Sequence, residues 1–204
     1  MVLIGMLDSP YVRRCAVSMK LMGIPFEHRS VSVFRHFDQF RAINPVVKAP
    51  SFICDDGAVL MDSTLILDYV ESNVEPKRRL TPADGDRRRD ALRITGLALA
   101  AAEKCVQMIY EQQQRPADKR HEPWMKRIAG QANAALGELE RAVPEAGWLQ
   151  GGTMTAADVV TACVWRFGQY YRTETGIEEA RYPRLVAHSS RAESLPEFAS
   201  TPLD

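Results

Sequence analysis

Residues 51–73 read SFICDDGAVLMDSTLILDYVESN and contain two short apolar runs followed by a helix-like stretch. The apolar runs flank Asp56-Gly57, a dipeptide that favours the tight turn of a β-hairpin. The helix-like stretch begins directly after the second run, at Ser63. This segment therefore predicts a β-β-α unit.

The sequence before this segment predicts a β-α-β unit. The apolar run Val2–Leu7 is typical of a buried strand, and residues 10–23 (PYVRRCAVSMKLMG) predict a helix that ends at Gly23. Residues 25–33 (PFEHRSVSV) contain a second strand-like run, and the stretch that follows is predicted to be irregular. The order β-α-β, irregular stretch, β-β-α is a specific one.

The remainder of the chain predicts helices only. Residues 75–90 (EPKRRLTPADGDRRRD) are charged and contain prolines and a glycine, which is typical of a linker. We assign residues 1–76 to a first domain, residues 77–86 to the linker and residues 87–204 to an all-helical domain. Helices are predicted over four stretches, at 88–114, 123–143, 155–172 and 182–194.

The composition excludes several classes of protein. Lysine plus arginine equals aspartate plus glutamate, at 26 each, and no basic tail or stripe suggests a nucleic-acid partner. About five apolar residues precede the first charge, and no run approaches the roughly 18 of a membrane span. A cytoplasmic protein without a membrane partner is expected.

The cysteines also favour a cytoplasmic protein. They are widely separated, form no CxxC pair and stand in apolar surroundings, so we expect reduced, buried thiols and neither disulfides nor a metal site. These residues are Cys15, Cys54, Cys105 and Cys163.

Four stretches make the chain resemble a known family over essentially its whole length. They are DSPYVRR (8–14), NPVVKAPSF (44–52), LMDSTLILDY (60–69) and GGTMTAADVV (151–160). Together with the element order, they resemble the cytosolic glutathione transferases, of a bacterial type with serine in the active site. The resemblance implies an α/β plus all-α fold, with an N-terminal thioredoxin-like βαβ-ββα domain that binds glutathione and an all-helical C-terminal domain.

The first stretch contains the candidate catalytic residue, Ser9. By itself, Ser9-Pro10 is a good helix start, with serine as the N-cap. By resemblance, Ser9 and Val12 occupy the positions of the two cysteines of the glutaredoxin Cys-Pro-Tyr-Cys motif, so disulfide exchange is disfavoured. Cys15 lies on the apolar helix face and is expected to serve packing. The resemblance implies that Ser9 activates the glutathione thiol.

Simple energetics show that one hydroxyl suffices for this activation. Lowering a thiol pKa from about 8.5 to about 6.5 requires about 2.7 kcal/mol of preference for the thiolate. A hydrogen bond to a charged group contributes about 1.5–3 kcal/mol, and a helix N-terminus about 0.3–1 kcal/mol more. In this role Ser9 would donate a hydrogen bond without being a nucleophile.

The second stretch departs from the family pattern at Val47, where glycine is usual, and at Ala49, where valine is usual. The resemblance implies a cis Ala49–Pro50 bond, pairing of the Ala49 backbone with the cysteinyl part of glutathione, and Lys48 as the cation for the glycyl carboxylate. Two polar residues of the irregular stretch are weaker candidates for that carboxylate, namely His36 and Gln39.

The third and fourth stretches both begin a helix. Asp62 or Ser63 would be a good N-cap, and the unpaired N–H groups of a helix start suit a carboxylate. By resemblance, Ser63 binds the γ-glutamyl carboxylate of glutathione and Asp62 faces its ammonium group. Thr155 and Asp158 have the spacing of a capping box, and we assign both a structural role.

The resemblance also implies a second-substrate pocket between the first domain and the long helix. Its expected lining residues are Met108, Tyr110, Gln113 and Trp165, with Arg166 as a further candidate.

The leading functional hypothesis is a glutathione transferase that uses glutathione as co-substrate, acts on an apolar electrophile and needs no metal. Two alternatives stay open, namely a non-catalytic binding or regulatory module of the same fold and a glutathione-dependent isomerase or dehalogenase. By resemblance, the protein is a homodimer in which the first domain packs on the long helices of the partner chain.

Overall fold

The computed structural model describes every residue from Met1 to Asp204. The chain separates into two units, of which the first combines Met1–Thr81 with Ser194–Asp204 and the second is Pro82–Glu193. The sequence analysis assigned residues 194–204 to the helical domain, whereas the structure places them in the first unit. The physical reason is a set of contacts to two basic side chains near the start of the chain, which are described below.

Four strands and nine helices of four or more residues form the two units. In chain order they are β1 (Val2–Ile4), α1 (Pro10–Leu21), β2 (Glu27–Arg29), α2 (Phe37–Ile43), β3 (Ser51–Ile53), β4 (Val59–Met61), α3 (Ser63–Ser72), α4 (Gly85–Gln113), α5 (Glu122–Ala142), α6 (Ala156–Tyr170), α7 (Arg172–Thr175), α8 (Pro183–Glu193) and α9 (Pro196–Ala199).

The first unit is a thioredoxin-like domain built on one mixed sheet with the strand order β2-β1-β3-β4. β1 pairs in parallel with β2, whereas β3 is antiparallel to both β1 and β4. Successive side chains of a strand point to opposite faces of the sheet. Accordingly, Leu3 packs with α1 and α3 in one buried cluster, and Ile4 packs with Phe40 of α2 in another.

The helix α2 corrects the prediction of an irregular stretch. Only Phe40 of its seven residues is buried, and His36, the residue before the helix, gives no side-chain cap. Its apolar residues Phe37, Phe40 and Ile43 have helical spacing, but the helix has only seven residues and no cap, which is why the pattern did not reveal it.

The second unit is all-helical, with the long helix α4 contacting α5 and α6. Eleven of the fifteen residues of α6 are buried, so this helix is the centre of the unit. No helix of the chain combines the length and the apolar content that crossing a membrane requires.

Candidate glutathione site

Three segments that carry candidate site residues meet at the same edge of the sheet, at one end of β1, β3 and β4. In the strand register Ile4 lies opposite Ser51, and Ser51 lies opposite Met61. The turn after Ile4 leads to Ser9, the loop before Ser51 contains residues 48–50, and the residues after Met61 begin α3. The topology therefore brings Ser9, Lys48–Pro50 and Asp62-Ser63 to one edge of the sheet.

Gly5 holds two of these segments close together. Its φ is +135°, and a Cβ built at this position would lie 2.6 Å from a methyl group of Val12 and 3.1 Å from the Cβ of Ala49. Only glycine combines this backbone conformation with so close an approach. The turn that leads to Ser9 is thus packed directly against the loop that contains Ala49.

Ser9 is the N-cap of α1 and is half-buried. Its Oγ accepts a hydrogen bond from the Val12 N–H at 3.4 Å, which is longer than the usual 2.7–3.2 Å. A serine hydroxyl can accept two hydrogen bonds and donate one. Capping therefore leaves the Ser9 proton available for a second partner, and capping and thiol activation are compatible.

The loop before β3 has the shape that the resemblance implies, since the Ala49–Pro50 bond is cis. Val47, which stands where the family usually has glycine, adopts φ +52° and so takes the left-handed conformation despite its branched side chain. Lys48 is exposed, and its Nζ lies 3.8 Å from Asp62 Oδ2. The two residues assigned to opposite ends of glutathione are thus close to each other.

Asn44 organises this loop from within. Its Nδ2 donates to Ser51 Oγ at 2.8 Å, and the Ser51 hydroxyl donates to the Lys48 carbonyl, also at 2.8 Å. The Asn44 Oδ1 accepts from the Val46 N–H at 3.0 Å. The sequence motif includes Asn44 but does not indicate its role, because these contacts form only when the loop closes on itself.

The start of α3 is open to solvent on its Asp62 side. Asp62 adopts φ +71° and its Oδ1 accepts the Thr64 N–H at 2.9 Å, which makes it the N-cap. Ser63 follows as the first helical residue and is buried. The structure thus decides between the two candidate caps, and it leaves the Ser63 hydroxyl to interact elsewhere.

Arg14 is the partner of that hydroxyl, and sequence reasoning missed it. This arginine is 4% exposed, and its Nη1 donates to Ser63 Oγ at 3.2 Å and to Thr64 Oγ1 at 3.3 Å. It places a positive charge beside the N-terminus of α3. The available signal was the pair Arg13-Arg14 within an otherwise apolar helix, since buried arginines require specific partners.

Cys15 and Cys105 are not nucleophile candidates. Cys15 is fully buried in α1, with its Sγ 3.7 Å from the Ser63 carbonyl oxygen. Burial raises the pKa of Cys105 to about 12, so that its thiol stays protonated at neutral pH. No group of three or more His, Cys, Asp or Glu side chains is placed to hold a metal ion.

The weaker candidates of the first unit lie in and beside α2. His36 and Gln39 are both exposed, and His36 Nδ1 accepts the Ser32 N–H at 3.2 Å. Neither side chain forms a hydrogen bond to the loop of residues 44–50, so their assignment stays a prediction.

The candidate residues of the second substrate pocket differ in their surroundings within the second unit. Met108 and Trp165 are buried, and the Trp165 ring packs edge-on against Tyr182 at 5.6 Å. Tyr110 and Arg166 are exposed. Gln113 is exposed and donates to Glu174 Oε1 at 2.8 Å. Their assignment to a second substrate stays a prediction.

Thr155 and Asp158 form the capping box of α6. The Asp158 carboxylate accepts the Thr155 N–H and hydroxyl, each at 2.8 Å, and the Leu149 N–H at 2.7 Å. Asp158 is completely buried, so all of its bonds are internal to the second unit.

Comparison with known proteins agrees with this geometry. Residues 3–78 match the family described as glutathione S-transferase, N-terminal domain, and residues 100–196 match glutathione S-transferase, C-terminal domain. The chain is 28% identical to the "uncharacterized GST-like protein YibF" of Escherichia coli K12, over 98% of both chains. It is 24% identical to the maleylacetoacetate isomerase of Pseudomonas aeruginosa, over 91% of this chain and 87% of the isomerase.

A solved structure is similar over the full length of the chain. It is a glutathione S-transferase from Methylobacterium radiotolerans in complex with glutathione sulfonate, at 26% identity and a TM-score of 0.89, and the match covers 100% of this chain and 95% of that one. With both domain families matched in order and this structural likeness, the chain belongs to the glutathione transferase superfamily.

Proposed function

We propose that this chain binds glutathione at the sheet edge formed by Ser9, residues 48–50 and the start of α3, and that it activates the thiol for attack on an apolar electrophile. One observation carries the proposal. Ser9 and Ser63 stand at two helix starts that the topology brings to one edge, and each hydroxyl accepts a hydrogen bond from the protein while keeping its own proton.

The start of α3 suits the γ-glutamyl end of glutathione. The Ser63 hydroxyl and N–H would donate to the carboxylate, where the helix N-terminus and the Arg14 guanidinium favour negative charge. The exposed Asp62 carboxylate would face the ammonium group. Since Lys48 lies 3.8 Å from Asp62, binding would exchange this surface ion pair for contacts to the ligand.

The middle and the other end of glutathione would bind the loop before β3. The Ala49 backbone N–H and C=O would pair with the cysteinyl residue, and Lys48 would face the glycyl carboxylate. The packing of Ala49 against Gly5 would bring the cysteinyl residue beside the turn that leads to Ser9.

Ser9 would then stabilise the thiolate. Its O–H donates a hydrogen bond to the sulfur, at the positive end of α1, and these two effects together match the required 2.7 kcal/mol or so. The sulfur forms the new bond to the electrophile, whose leaving group departs with its electron pair. The pocket for the electrophile is proposed to include Met108, Tyr110, Gln113 and Trp165.

Binding is tested by calorimetric titration with glutathione. We expect Ser63→Ala to weaken binding about tenfold or more, because it removes a hydrogen bond to a charged group. Ser72→Ala, at the other end of the same helix, is the matched control, since its hydroxyl donates only to the Tyr69 carbonyl. A wild-type chain that fails to bind millimolar glutathione would rule out the proposal.

Catalysis is tested by turnover of a generic aromatic electrophile. Ser9→Ala should lower kcat/KM by about 10- to 100-fold, and Ser9→Thr should retain most of it because it keeps a hydroxyl. Glutathione binding without any turnover would favour the non-catalytic module. Unchanged turnover in Ser9→Ala would show that another group activates the thiol.

The match to a maleylacetoacetate isomerase favours one second candidate, a glutathione-dependent isomerase. Isomerisation would use the same glutathione site and differ only in the pocket for the second substrate. Turnover of maleylacetoacetate, with no turnover of aromatic electrophiles, would select this candidate.

A homodimer in the cytoplasm is part of the proposal. Leu65 and Tyr69 lie one turn apart on α3 and are both exposed. Exposed apolar side chains in neighbouring positions are typical of an interface. Sedimentation at micromolar concentration should show twice the 22.9 kDa of one chain, and Leu65→Glu should shift it to the monomer.

A further inference from the structure

The segment 194–204 is fastened along α1 by two basic side chains. Arg13 is buried, and its Nε donates to the Thr201 carbonyl at 2.8 Å while its guanidinium lies over the Phe198 ring. Lys20 Nζ donates to the Ser200 carbonyl and hydroxyl, each at 2.8 Å. The segment is therefore held in place before it reaches the turn that precedes Ser9.

Asp204 contacts that turn directly. The Ser9 N–H donates to the Met6 carbonyl at 3.3 Å, which closes a β-turn with Leu7 and Asp8 at its centre. Asp204 Oδ1 accepts the N–H groups of both central residues, that of Asp8 at 3.1 Å. A single carboxylate oxygen thus binds the two amides immediately before Ser9.

The other carboxylate oxygen connects the turn to the sheet. Asp204 Oδ2 accepts the hydroxyl proton of Ser30, the residue that follows β2. The turn is thereby tied to the sheet at a point outside its own segment.

We propose that Asp204 is a positioning residue for catalysis, which aims the Ser9 hydroxyl at the glutathione sulfur by fixing the turn of residues 6–9. This inference rests on the proposed function, in which Ser9 activates the thiol. A displacement of about 1 Å at a catalytic group can reduce the rate by about two orders of magnitude. A side chain that touches neither substrate can therefore control the rate through the turn.

The proposal predicts that loss of Asp204 lowers the rate of catalysis without disrupting the glutathione site. The start of α3 and the loop of residues 44–50 have no hydrogen bond to Asp204, so the affinity for protonated glutathione should not depend on it. Asp204→Ala should lower kcat about tenfold and raise the pKa of the bound glutathione thiol by about one unit. The glutathione KM should stay unchanged at about pH 5.5, where the bound thiol is mostly protonated in both proteins.

The conservative variant separates position from charge. Asp204→Asn keeps an oxygen that can accept both amides but carries no charge. If Asp204 acts by position, Asp204→Asn retains kcat within about twofold, because a neutral acceptor is weaker but has the same geometry. If only its negative charge matters, Asp204→Asn behaves like Asp204→Ala, which would overturn the proposal.

The experiment makes three measurements on the full chain. They are steady-state kinetics for kcat and the glutathione KM, the ultraviolet absorbance of the bound thiolate against pH, and hydrogen exchange of the Leu7 and Asp8 amides. We expect fast exchange and a raised thiol pKa in Asp204→Ala only. The matched control is Ser200→Ala, which alters the same segment at its contact with Lys20 and should leave all three at the wild-type values.

The outcomes separate this inference from the proposed function. A wild-type chain that lowers the thiol pKa, together with an Asp204→Ala variant that lowers it equally, would overturn the role of Asp204 and leave the proposed function intact. A wild-type chain that binds glutathione without lowering the thiol pKa would overturn both. Slow amide exchange in Asp204→Ala would show that other contacts fix the turn.

Discussion

The starts of α3 and α6 have similar capping sequences but differ in their hydrogen bonds and solvent exposure. Asp62-Ser63 and Thr155-Asp158 are both capping sequences. At α6 the Asp158 carboxylate is completely buried and takes three hydrogen bonds from its own unit. At α3 the Asp62 carboxylate is about half exposed, and Ser63 accepts from Arg14 while keeping its own proton.

The comparison contrasts a closed cap with a candidate binding site. At α6 the cap closes its hydrogen bonds internally, whereas at α3 the Ser63 hydroxyl keeps its proton and the Asp62 carboxylate is about half exposed. Sequence spacing describes both equally well, because it specifies which groups are present and not which of them remain available. The predictions below separate the two helix starts by stability and by affinity.

The largest effect is expected at Asp158, where the change should affect stability alone. Asp158→Ala leaves the Leu149 N–H and the Thr155 N–H and hydroxyl without their acceptor, so the free energy of unfolding should fall by about 3 kcal/mol. Urea denaturation measures this loss, with Asp158→Asn as the milder comparison. A loss of glutathione affinity in the folded variant would contradict the assignment of a structural role.

Arg14 should show the opposite behaviour. Arg14→Met removes the donor to Ser63 Oγ and the positive charge beside the helix start, so glutathione affinity should fall about tenfold. Arg13→Met is the matched control, since the neighbouring arginine binds the segment 194–204 instead. Calorimetry should show a loss for Arg14→Met only, and equal affinities for both variants would show that Arg14 serves packing.

The second unit should also be less stable in acid because of His188. Burial lowers the pKa of this imidazole, and the nearby Asp158 carboxylate opposes the effect only in part. The unfolded chain takes up the proton near pH 6.5, whereas the folded chain takes it up only at a lower pH. The contribution of His188 to the free energy of unfolding is therefore fully present above about pH 6.5 and is lost as the pH decreases below it.

Denaturation at pH 7.5 and pH 5.5 or so covers this window. We expect His188→Gln to reduce the difference between the two conditions, and His121→Gln, at an exposed position, to control for the loss of an imidazole. An unchanged pH dependence in His188→Gln would assign the acid sensitivity to other groups.

The smallest effect concerns the loop before β3. Val47→Gly removes backbone strain of about 1–3 kcal/mol at φ +52° but also removes a half-buried side chain and adds the flexibility of glycine, so its net effect should be near zero. Val46→Gly, at an exposed neighbour, should destabilise by about 0.5–1 kcal/mol. Equal losses in both variants would show that Val47 carries no strain.

The sequence predicted the elements with strong periodicity, and it supplied candidate site residues within contiguous motifs. The hairpin around Asp56-Gly57 and the helix after Ser63 follow from local pattern, and the cis Ala49–Pro50 bond from the family resemblance. The helix α2 was missed because it is only seven residues long and has no side-chain cap.

Contacts between distant parts of the chain could not be predicted. Arg14 meets Ser63 across 49 residues, and Asp204 meets Asp8 across 196. Neither pair has a periodic or motif signal, because each depends on how the elements are placed by the sheet. The contacts of Arg14 and Asp204 are therefore seen in the structure alone.

The pKa of the thiol of bound glutathione tests the central claim most directly, through its ultraviolet absorbance against pH in the wild type, Ser9→Ala and Ser9→Thr. We predict a value near 6.5 in the wild type and in Ser9→Thr, and a return toward about 8.5 in Ser9→Ala. A thiol pKa in Ser9→Ala equal to that of the wild type would contradict the account and leave Ser9 as a helix cap.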